Sequence, residues 1–259
     1  MVDPDQKQPD GSTPPGAHAP SVSPHRGPLI SRSRAATAHE LHSLPWYALL
    51  TEPQREQVQA GLRVVEAEPG DFVCKIGRPA NYWFGLIDGL LKMSNDSSVG
   101  FSITFTGIPP GAWFGEGTLL KREAYRYNIE ALRKSRVAGL AAETFAWLLE
   151  NSIPFNRFVM NQLNERLGQF IAAREVDRIS DPDGRVALSL AALFNPVLYP
   201  GVGHLLRITQ QELAYLVGLS RQRVNESLKA LERLQLIRVE YGGLRVLSLE
   251  GLRGFHRRA

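Results

Sequence analysis

A cluster of hydrogen-bonding side chains near the C-terminus is the part of the sequence best suited to recognising another molecule. Arg221, Gln222, Arg223 and Asn225 are residue types that bond the edges of guanine or adenine, or phosphate oxygens, in the major groove of duplex DNA. Ser220 comes just before them and suits the N-cap of a helix. The spacing therefore predicts a helix whose first turns expose these side chains.

The residues before this helix match a helix-turn-helix spanning about 210–229. Thr209 and Glu212 have the spacing of a capping box, which starts the first helix. Ala214 is small enough for two helices to cross closely there, and Gly218 tolerates the positive φ that the turn needs. The alternative is a helical hairpin used only for packing.

The sequence after the two helices strengthens the DNA interpretation. Residues 237–240 and 244–247 read as two strands joined by a turn at 241–243, which is the wing of a winged helix. From Arg178 to the end there are 12 Lys or Arg against 7 Asp or Glu, although the whole chain has a net charge of only +4. This basic C-terminal third favours a polyanionic partner.

The remaining organisation predicts an α+β protein with a long helix between two domains. Residues 1–40 are rich in Pro, Ser and Gly and are predicted to be a disordered tail. Residues 41–150 contain short strand-like runs separated by turn signals, as in a jelly roll. Residues 151–178 form a helix, and residues 179–259 form the winged helix-turn-helix domain. Apolar residues recur along the long helix at Phe155, Val159, Leu163, Leu167, Phe170 and Ile171.

Several classes of protein are disfavoured by composition. The single cysteine, Cys74, cannot form an intrachain disulfide or hold an iron–sulfur cluster, and we expect it to be a small buried residue. The six histidines lack metal-ligand spacing, so we expect no metal site. No nucleophile–base pair marks a catalytic site, so we expect no enzyme. The sequence shows neither a membrane span nor a secretory signal, which predicts a cytoplasmic protein without a membrane partner.

The sequence resembles the CRP/FNR regulators, the cyclic-AMP receptor protein family, over roughly residues 44–250. The resemblance lies in the stretches 208–214, 220–224 and 228–232, and in the β-rich half it includes the glycines at 70, 77, 89 and 111 with the run 113–116. It implies an N-terminal cyclic-nucleotide-binding β-roll and a C-terminal winged helix that binds double-stranded DNA. It also implies a homodimer paired through the long helix and a contact with RNA polymerase. Without the resemblance, the long helix could equally pack on its own domain.

The resemblance assigns roles to individual residues of the DNA-binding domain. Thr209 and Gln211 match positions that contact phosphates, and Arg221 matches a base-reading arginine. Gln222 stands where the family usually has glutamate, and Glu226 stands where the cyclic-AMP members have arginine. Because these side chains bond different bases, we expect this chain to read a different operator.

The resemblance also implies an effector site at Gly115, Glu116 and Arg126. A backbone turn and a guanidinium can hold a cyclic phosphate, while a carboxylate accepts from a ribose hydroxyl. Tyr127, however, replaces a small hydroxyl residue beside the phosphate, and the adenine-bonding positions of the long helix fall at about Phe170 and Ile171, which are apolar. These departures disfavour cyclic AMP. They leave open another nucleotide, such as cyclic di-GMP, or no effector.

Two functions therefore follow from the sequence. The first is a dimeric DNA-binding transcription regulator modulated by a small effector in the β-roll. The second is a nucleotide-binding regulatory module whose C-terminal helices contact a protein.

Overall fold

The computed structural model describes residues 29–96, 102–176, 181–203 and 205–255. Its N-terminal half is a β-roll of two antiparallel sheets, as predicted. In spatial order the strands of the first sheet are β1 (Arg34–Ala35), β2 (Leu62–Ala67), β9 (Ser135–Ala141), β4 (Tyr82–Asp88) and β7 (Trp113–Phe114). Those of the second are β3 (Phe72–Cys74), β8 (Asn128–Ala131), β5 (Leu91–Asp96) and β6 (Ser102–Ile108).

Short helices surround this β-roll. Two 3₁₀ turns lie at Leu29–Arg32 and Tyr47–Leu49. The α-helices of this half are α1 (Ala38–His42), α2 (Glu52–Gly61), α3 (Glu116–Lys121) and α4 (Ala142–Asn151). Inward-facing residues of both sheets form one apolar cluster, which includes Cys74, so the expectation of a small buried thiol is confirmed.

The predicted disordered tail is wrong for residues 29–40 and lies outside the described residues for 1–28. Leu29 is buried against the β-roll, and β1 pairs with β2. A capping box formed by Thr37 and Glu40 starts α1. The overall composition of this segment predicts disorder, but one buried leucine and one capping pair are enough to hold a short stretch of it in place.

A long helix, α5 (Ile153–Val176), follows α4 and agrees with the predicted 151–178. Its first turns pack into its own domain. The ring of Phe155 meets Trp46 at 5.2 Å and Trp83 at 5.5 Å between centroids, and Trp83 lies 4.3 Å from Trp113. These aromatic contacts fix the start of α5 on the β-roll.

The outer side of α5 has a different character. Ile153, Met160, Leu167 and Ile171 are each at least 60% exposed, and Phe170 is 41% exposed. Large apolar side chains in a row on one helix face mark an interaction surface. The first half of the helix therefore packs on its own domain, while an apolar stripe along it faces outward.

The C-terminal domain is a winged helix-turn-helix, as predicted. Its helices are α6 (Pro182–Ala192), α7 (Gln210–Val217), α8 (Arg221–Arg233) and α9 (Leu249–Arg253). Its sheet has the spatial order β10 (Leu205–Leu206), β12 (Gly243–Val246) and β11 (Ile237–Glu240). The hairpin β11–β12 is the predicted wing, whereas β10 was not expected because two residues are too short to show a strand pattern.

None of the helices in the described ranges has the length and apolar character needed to cross a membrane.

Candidate DNA-binding surface and effector pocket

The first helix of the helix-turn-helix begins and ends as its sequence predicts. The Thr209 hydroxyl accepts from the Glu212 amide at 3.1 Å, and the Glu212 carboxylate accepts from the Thr209 amide at 2.7 Å. Gly218 ends α7 in the left-handed region with a φ of 65°. The predicted capping box and glycine turn are thus confirmed, and they set the angle at which α8 leaves α7.

The second helix, α8, presents one face to the domain core and the other to solvent. Ser220 caps it, because its hydroxyl accepts from the Arg223 amide at 3.2 Å. Val224 and Leu228 are buried in the core, whereas Arg221 and Gln222 are exposed. Within the described part of the chain, the guanidinium of Arg221 has no hydrogen bond or ion pair. It is therefore free to reach a groove of DNA.

The neighbouring candidates on α8 already have partners within the subunit. Arg223 is half-buried and pairs with Asp183 at 2.8 Å and with Glu226 at 3.1 Å. Gln222 donates to Glu226 at 3.3 Å. Because Glu226 draws both side chains toward itself, a DNA contact by Arg223 or Gln222 has to replace a bond that exists in the free protein.

The other candidates lie along the same surface. Asn225 accepts from Gln210 at 3.0 Å, a contact that links the two helices. Thr209 and Gln211 are exposed at the start of α7. In the wing, Tyr241 is fully exposed at the tip and Arg238 is exposed on β11. The structure thus brings the start of α7 and the first turns of α8 together on one domain, next to a projecting wing.

The predicted effector cassette has an unexpected partner. Gly115 has a φ of 95° and precedes α3, and Glu116 is the first residue of that helix with only 2% of its surface exposed. The Glu116 carboxylate accepts from Arg166 of α5 at 2.9 Å, and Arg166 also donates to the Trp113 carbonyl at 2.6 Å. The second carboxylate oxygen of Glu116 is buried with no partner among the described residues.

Burial by itself would lower the pKa of Arg166, but the charge and hydrogen bond of Glu116, together with nearby tyrosines, outweigh this effect and raise the pKa above its ordinary value. The ion pair joins the turn at Gly115 to the long helix.

Arg126 and Tyr127 do not join this ion pair. The Arg126 side chain is 77% exposed and pairs with Glu123 at 2.9 Å. The Tyr127 hydroxyl lies 3.5 Å from the Thr118 hydroxyl, and burial raises the pKa of the phenol, so it stays protonated. The structure brings Gly115, Glu116 and Tyr127 to one end of the β-roll and leaves Arg126 at its surface.

The face of α5 that looks into the β-roll is polar. It is formed by Gln162, Arg166 and Gln169, whereas Phe170 and Ile171 lie on the exposed side. The two positions that the resemblance relates to the adenine, Phe170 and Ile171, are thus exposed, whereas Arg166 on the polar face bonds Glu116.

Comparison with known protein families gives two matches in the order that the structure suggests. A cyclic nucleotide-binding domain matches residues 64–152, and a Crp-like helix-turn-helix domain matches residues 184–255. The chain belongs to the CRP/FNR family of transcription regulators. The resemblance stated from the sequence is confirmed, as is the expectation that the protein is no enzyme, because its relatives are regulators.

Individual relatives share much of this CRP/FNR chain. The transcriptional regulator SdrP of Thermus thermophilus is 28% identical over 197 residues, which are 73% of this chain and 92% of SdrP. The cAMP-activated global transcriptional regulator CRP of Pasteurella multocida is 29% identical over 167 residues, 62% of this chain and 78% of CRP. The structure of the c-di-GMP responsive regulator CLP of Xanthomonas campestris has the same fold, with a TM-score of 0.52, 21% identity and coverage of 76% and 99% of the two chains.

Proposed function

We propose that this CRP/FNR regulator binds a specific DNA sequence as a homodimer, with the first turns of α8 in the major groove. The observation that carries the proposal is the exposed, unpaired Arg221 at the start of a capped helix on a winged-helix domain. An arginine in this position bonds guanine. Thr209, Gln211 and the wing lie on the flanks, where they suit phosphate contacts that fix the register.

The homodimer is supported by the outward stripe of α5. Pairing this stripe with its copy buries the exposed leucine, isoleucine and methionine side chains and places two α8 helices on one assembly. Two such helices one DNA turn apart read a near-palindromic site. Acting on promoters in this way, the protein works in the cytoplasm, and RNA polymerase is its expected protein partner.

The test is a comparison of two arginines on the same helix. Arg221 lies at the exposed start of α8, and Arg233 lies at its other end. We expect Arg221→Ala to weaken binding to a duplex selected from a random pool by about 1–3 kcal/mol, the usual worth of an arginine–guanine contact. Arg233→Ala should bind nearly as well as the unchanged protein. Fluorescence anisotropy at two salt concentrations measures both variants.

The salt dependence separates DNA binding from the alternative of a protein partner. A regulator that neutralises several phosphates loses affinity steeply as salt rises. If the protein selects no sequence from the pool, or if both arginine variants bind alike, α8 is not the reading helix.

A nucleotide in the β-roll is the proposed effector. The turn at Gly115 offers backbone amides to a phosphate, and the unpartnered oxygen of Glu116 is placed to accept from a ribose hydroxyl. Arg126 has to leave Glu123 and turn inward to reach that phosphate. Tyr127 crowds the site as cyclic AMP would use it, which favours a different nucleotide, such as cyclic di-GMP.

Calorimetric titration with cyclic AMP, cyclic GMP and cyclic di-GMP tests this site. We expect Arg126→Ala to weaken binding of the active nucleotide by about ten- to a hundredfold, since a hydrogen bond to a charged group is worth roughly 1.5–3 kcal/mol. Arg63, which is exposed on β2, provides the control as Arg63→Ala. Equal affinity of the Arg126→Ala variant and the unchanged protein removes Arg126 from the site.

A further inference from the structure

The loop that follows α6, residues 195–202, enters the β-roll. Leu198 and Tyr199 are fully buried, and they belong to the apolar cluster of the β-roll rather than to that of the winged-helix domain. The same cluster contains inward-facing residues of both sheets, such as Phe84, Met93 and Phe114. A piece of the DNA-binding half thus fills the inside of the effector-binding half.

Hydrogen bonds fasten this loop to the polar face of α5. Gln162 donates to the Val197 carbonyl at 2.7 Å, and the Tyr199 hydroxyl donates to the Gln169 side chain at 3.1 Å. Asn195 donates to Glu165 at 3.2 Å. The loop therefore uses the side chains of α5 that look into the β-roll.

The loop also lies beside the effector cassette and closely against the sheet. Tyr199 bonds Gln169, which lies three residues along α5 from Arg166, and Arg166 is the partner of Glu116. At the far end, a Cβ added to Gly111 would lie 2.4 Å from the Gly201 backbone nitrogen. The two backbones can come this close because both positions are glycine, so the loop fits closely against the β-roll here.

A second contact holds the winged-helix domain on the outside of the β-roll. Leu216 of α7 covers Gly107 of β6, where an added Cβ would lie 2.7 Å from the leucine side chain. Arg133, just after β8, donates to the Arg207 carbonyl and faces the Glu212 carboxylate at 3.6 Å. The end of α7 that is proposed to contact phosphates is thereby held against the β-roll.

We propose that residues 195–202 are an internal plug that occupies the effector pocket and holds the DNA-binding domain in a docked state of low DNA affinity. The inference rests on the proposed DNA-binding function. A duplex that approaches the start of α7 meets the β-roll beside Arg133 while the domain is docked. An effector that enters next to Glu116 expels Tyr199, which releases the loop and frees the domain.

The first experiment weakens the contact of the plug with the β-roll and measures the release of the loop by hydrogen exchange in the absence of DNA. Tyr199→Ala is compared with Val137→Ala, which truncates a side chain of β9 in the same apolar cluster but leaves the loop intact. Hydrogen exchange should show that amides of residues 197–203 and of β6 lose protection in Tyr199→Ala and keep it in Val137→Ala. Affinity for the selected duplex should rise by roughly five- to a hundredfold in Tyr199→Ala alone, the usual range of coupling between two sites.

The second experiment traps the docked state and does not depend on the stability of the first variant. Gly107→Cys combined with Leu216→Cys places two thiols at the contact between β6 and α7. The native Cys74 does not interfere, because burial raises its pKa to about 12. DNA affinity of the oxidised protein should be lower than that of the same sample after reduction, by a similar factor.

The outcomes separate the plug from the regulator function. Unchanged protection in Tyr199→Ala, or equal DNA affinity of the oxidised and reduced cysteine variant, overturns the plug. If the unchanged protein and every variant bind no DNA, the proposed function fails, and hydrogen exchange alone then decides whether the loop is a releasable plug. Effects of equal size in Val137→Ala show a loss of core stability instead and also overturn it.

Discussion

Glu40 is a carboxylate whose neighbours hold it in its charged form. The two terminal guanidinium nitrogens of Arg34 donate to it, at 2.7 and 2.8 Å, and the Thr37 amide donates at 2.9 Å. Arg136 of β9 lies 3.5 Å away. The hydrogen bonds from Arg34, which outweigh the effect of burial, lower the pKa of Glu40 from 4.5 to about 2.

This pKa shift predicts how stability depends on pH. Because the folded pKa lies below the unfolded one, the stabilisation is complete above pH 4.5 and is lost as the pH falls toward about 2. At 1.36 kcal/mol per pKa unit, the difference between 4.5 and about 2 corresponds to about 3 kcal/mol. Because solvent screens the half-exposed Arg34, we expect Glu40→Gln to lower the free energy of unfolding by about 2–3 kcal/mol at neutral pH. Urea unfolding at neutral pH and at about pH 3 should show this difference shrinking.

Glu52→Gln is the control, because Glu52 forms an exposed ion pair with Arg55 at 3.4 Å. Such pairs contribute about 0–1 kcal/mol, so this variant should differ little from the unchanged protein at either pH. A Glu40→Gln variant whose destabilisation is as large at about pH 3 as at neutral pH would show that the charge of Glu40 is not the cause.

Contacts between residues close in sequence were predictable, and contacts between distant ones were not. The Thr209–Glu212 capping box, the turn at Gly218 and the Ser220 cap each depend on at most four neighbouring residues, and the structure contains all three. The Glu116–Arg166 pair joins residues 50 positions apart. The sequence around a charged helix residue does not indicate which distant residue it pairs with, so this pair could be identified only from the three-dimensional structure.

At the scale of elements, turn signals predicted the longer strands but not the strands of only two residues. The strand-like runs predicted within residues 41–150 are strands in the structure, as β2 and β4 show, because glycine and proline turns bound them. By contrast, β1 and β10 have two residues each. An alternating pattern cannot appear in two residues, and pairing with a neighbouring strand decides their conformation.

The apolar pattern along α5 is ambiguous because three sides of this helix have different surroundings. One side is apolar and packs on the β-roll through Phe155 and Val159, another is polar and binds the loop, and a third is apolar and exposed. A helix with several buried or interacting sides lacks the single stripe that an amphipathic helix shows. Its length and type were predictable, whereas the role of each side depended on the packing around it.

At the scale of the whole molecule, the two domains are joined by helix α5 and by the loop of residues 195–202, which are bonded to each other. Helix α5 starts in the β-roll core, pairs with Glu116 near its middle and binds residues 195–202 through its polar face. The loop in turn begins the path to β10 and α7. In the proposed regulator, a change at the effector cassette would reach α7 through the loop and a second subunit through the outer stripe of α5.

The homodimer is the last expectation at this scale. Ile153, Met160 and Leu167 are exposed and stand seven residues apart, with Phe170 three residues further on. This is the spacing of a two-helix coiled coil, in which each side chain meets its copy across the seam. We expect Leu167→Glu to turn the dimer into a monomer, because two carboxylates would face each other where two leucines pack. Binding to a palindromic duplex should also weaken, because the monomer has only one α8.

Leu49→Glu is the control and should remain dimeric, since Leu49 is 42% exposed and lies outside the stripe. Analytical ultracentrifugation measures the mass of both variants, and circular dichroism verifies that they are folded. A Leu167→Glu protein that keeps the mass of two chains would show that the subunits, if they pair, do so through another surface.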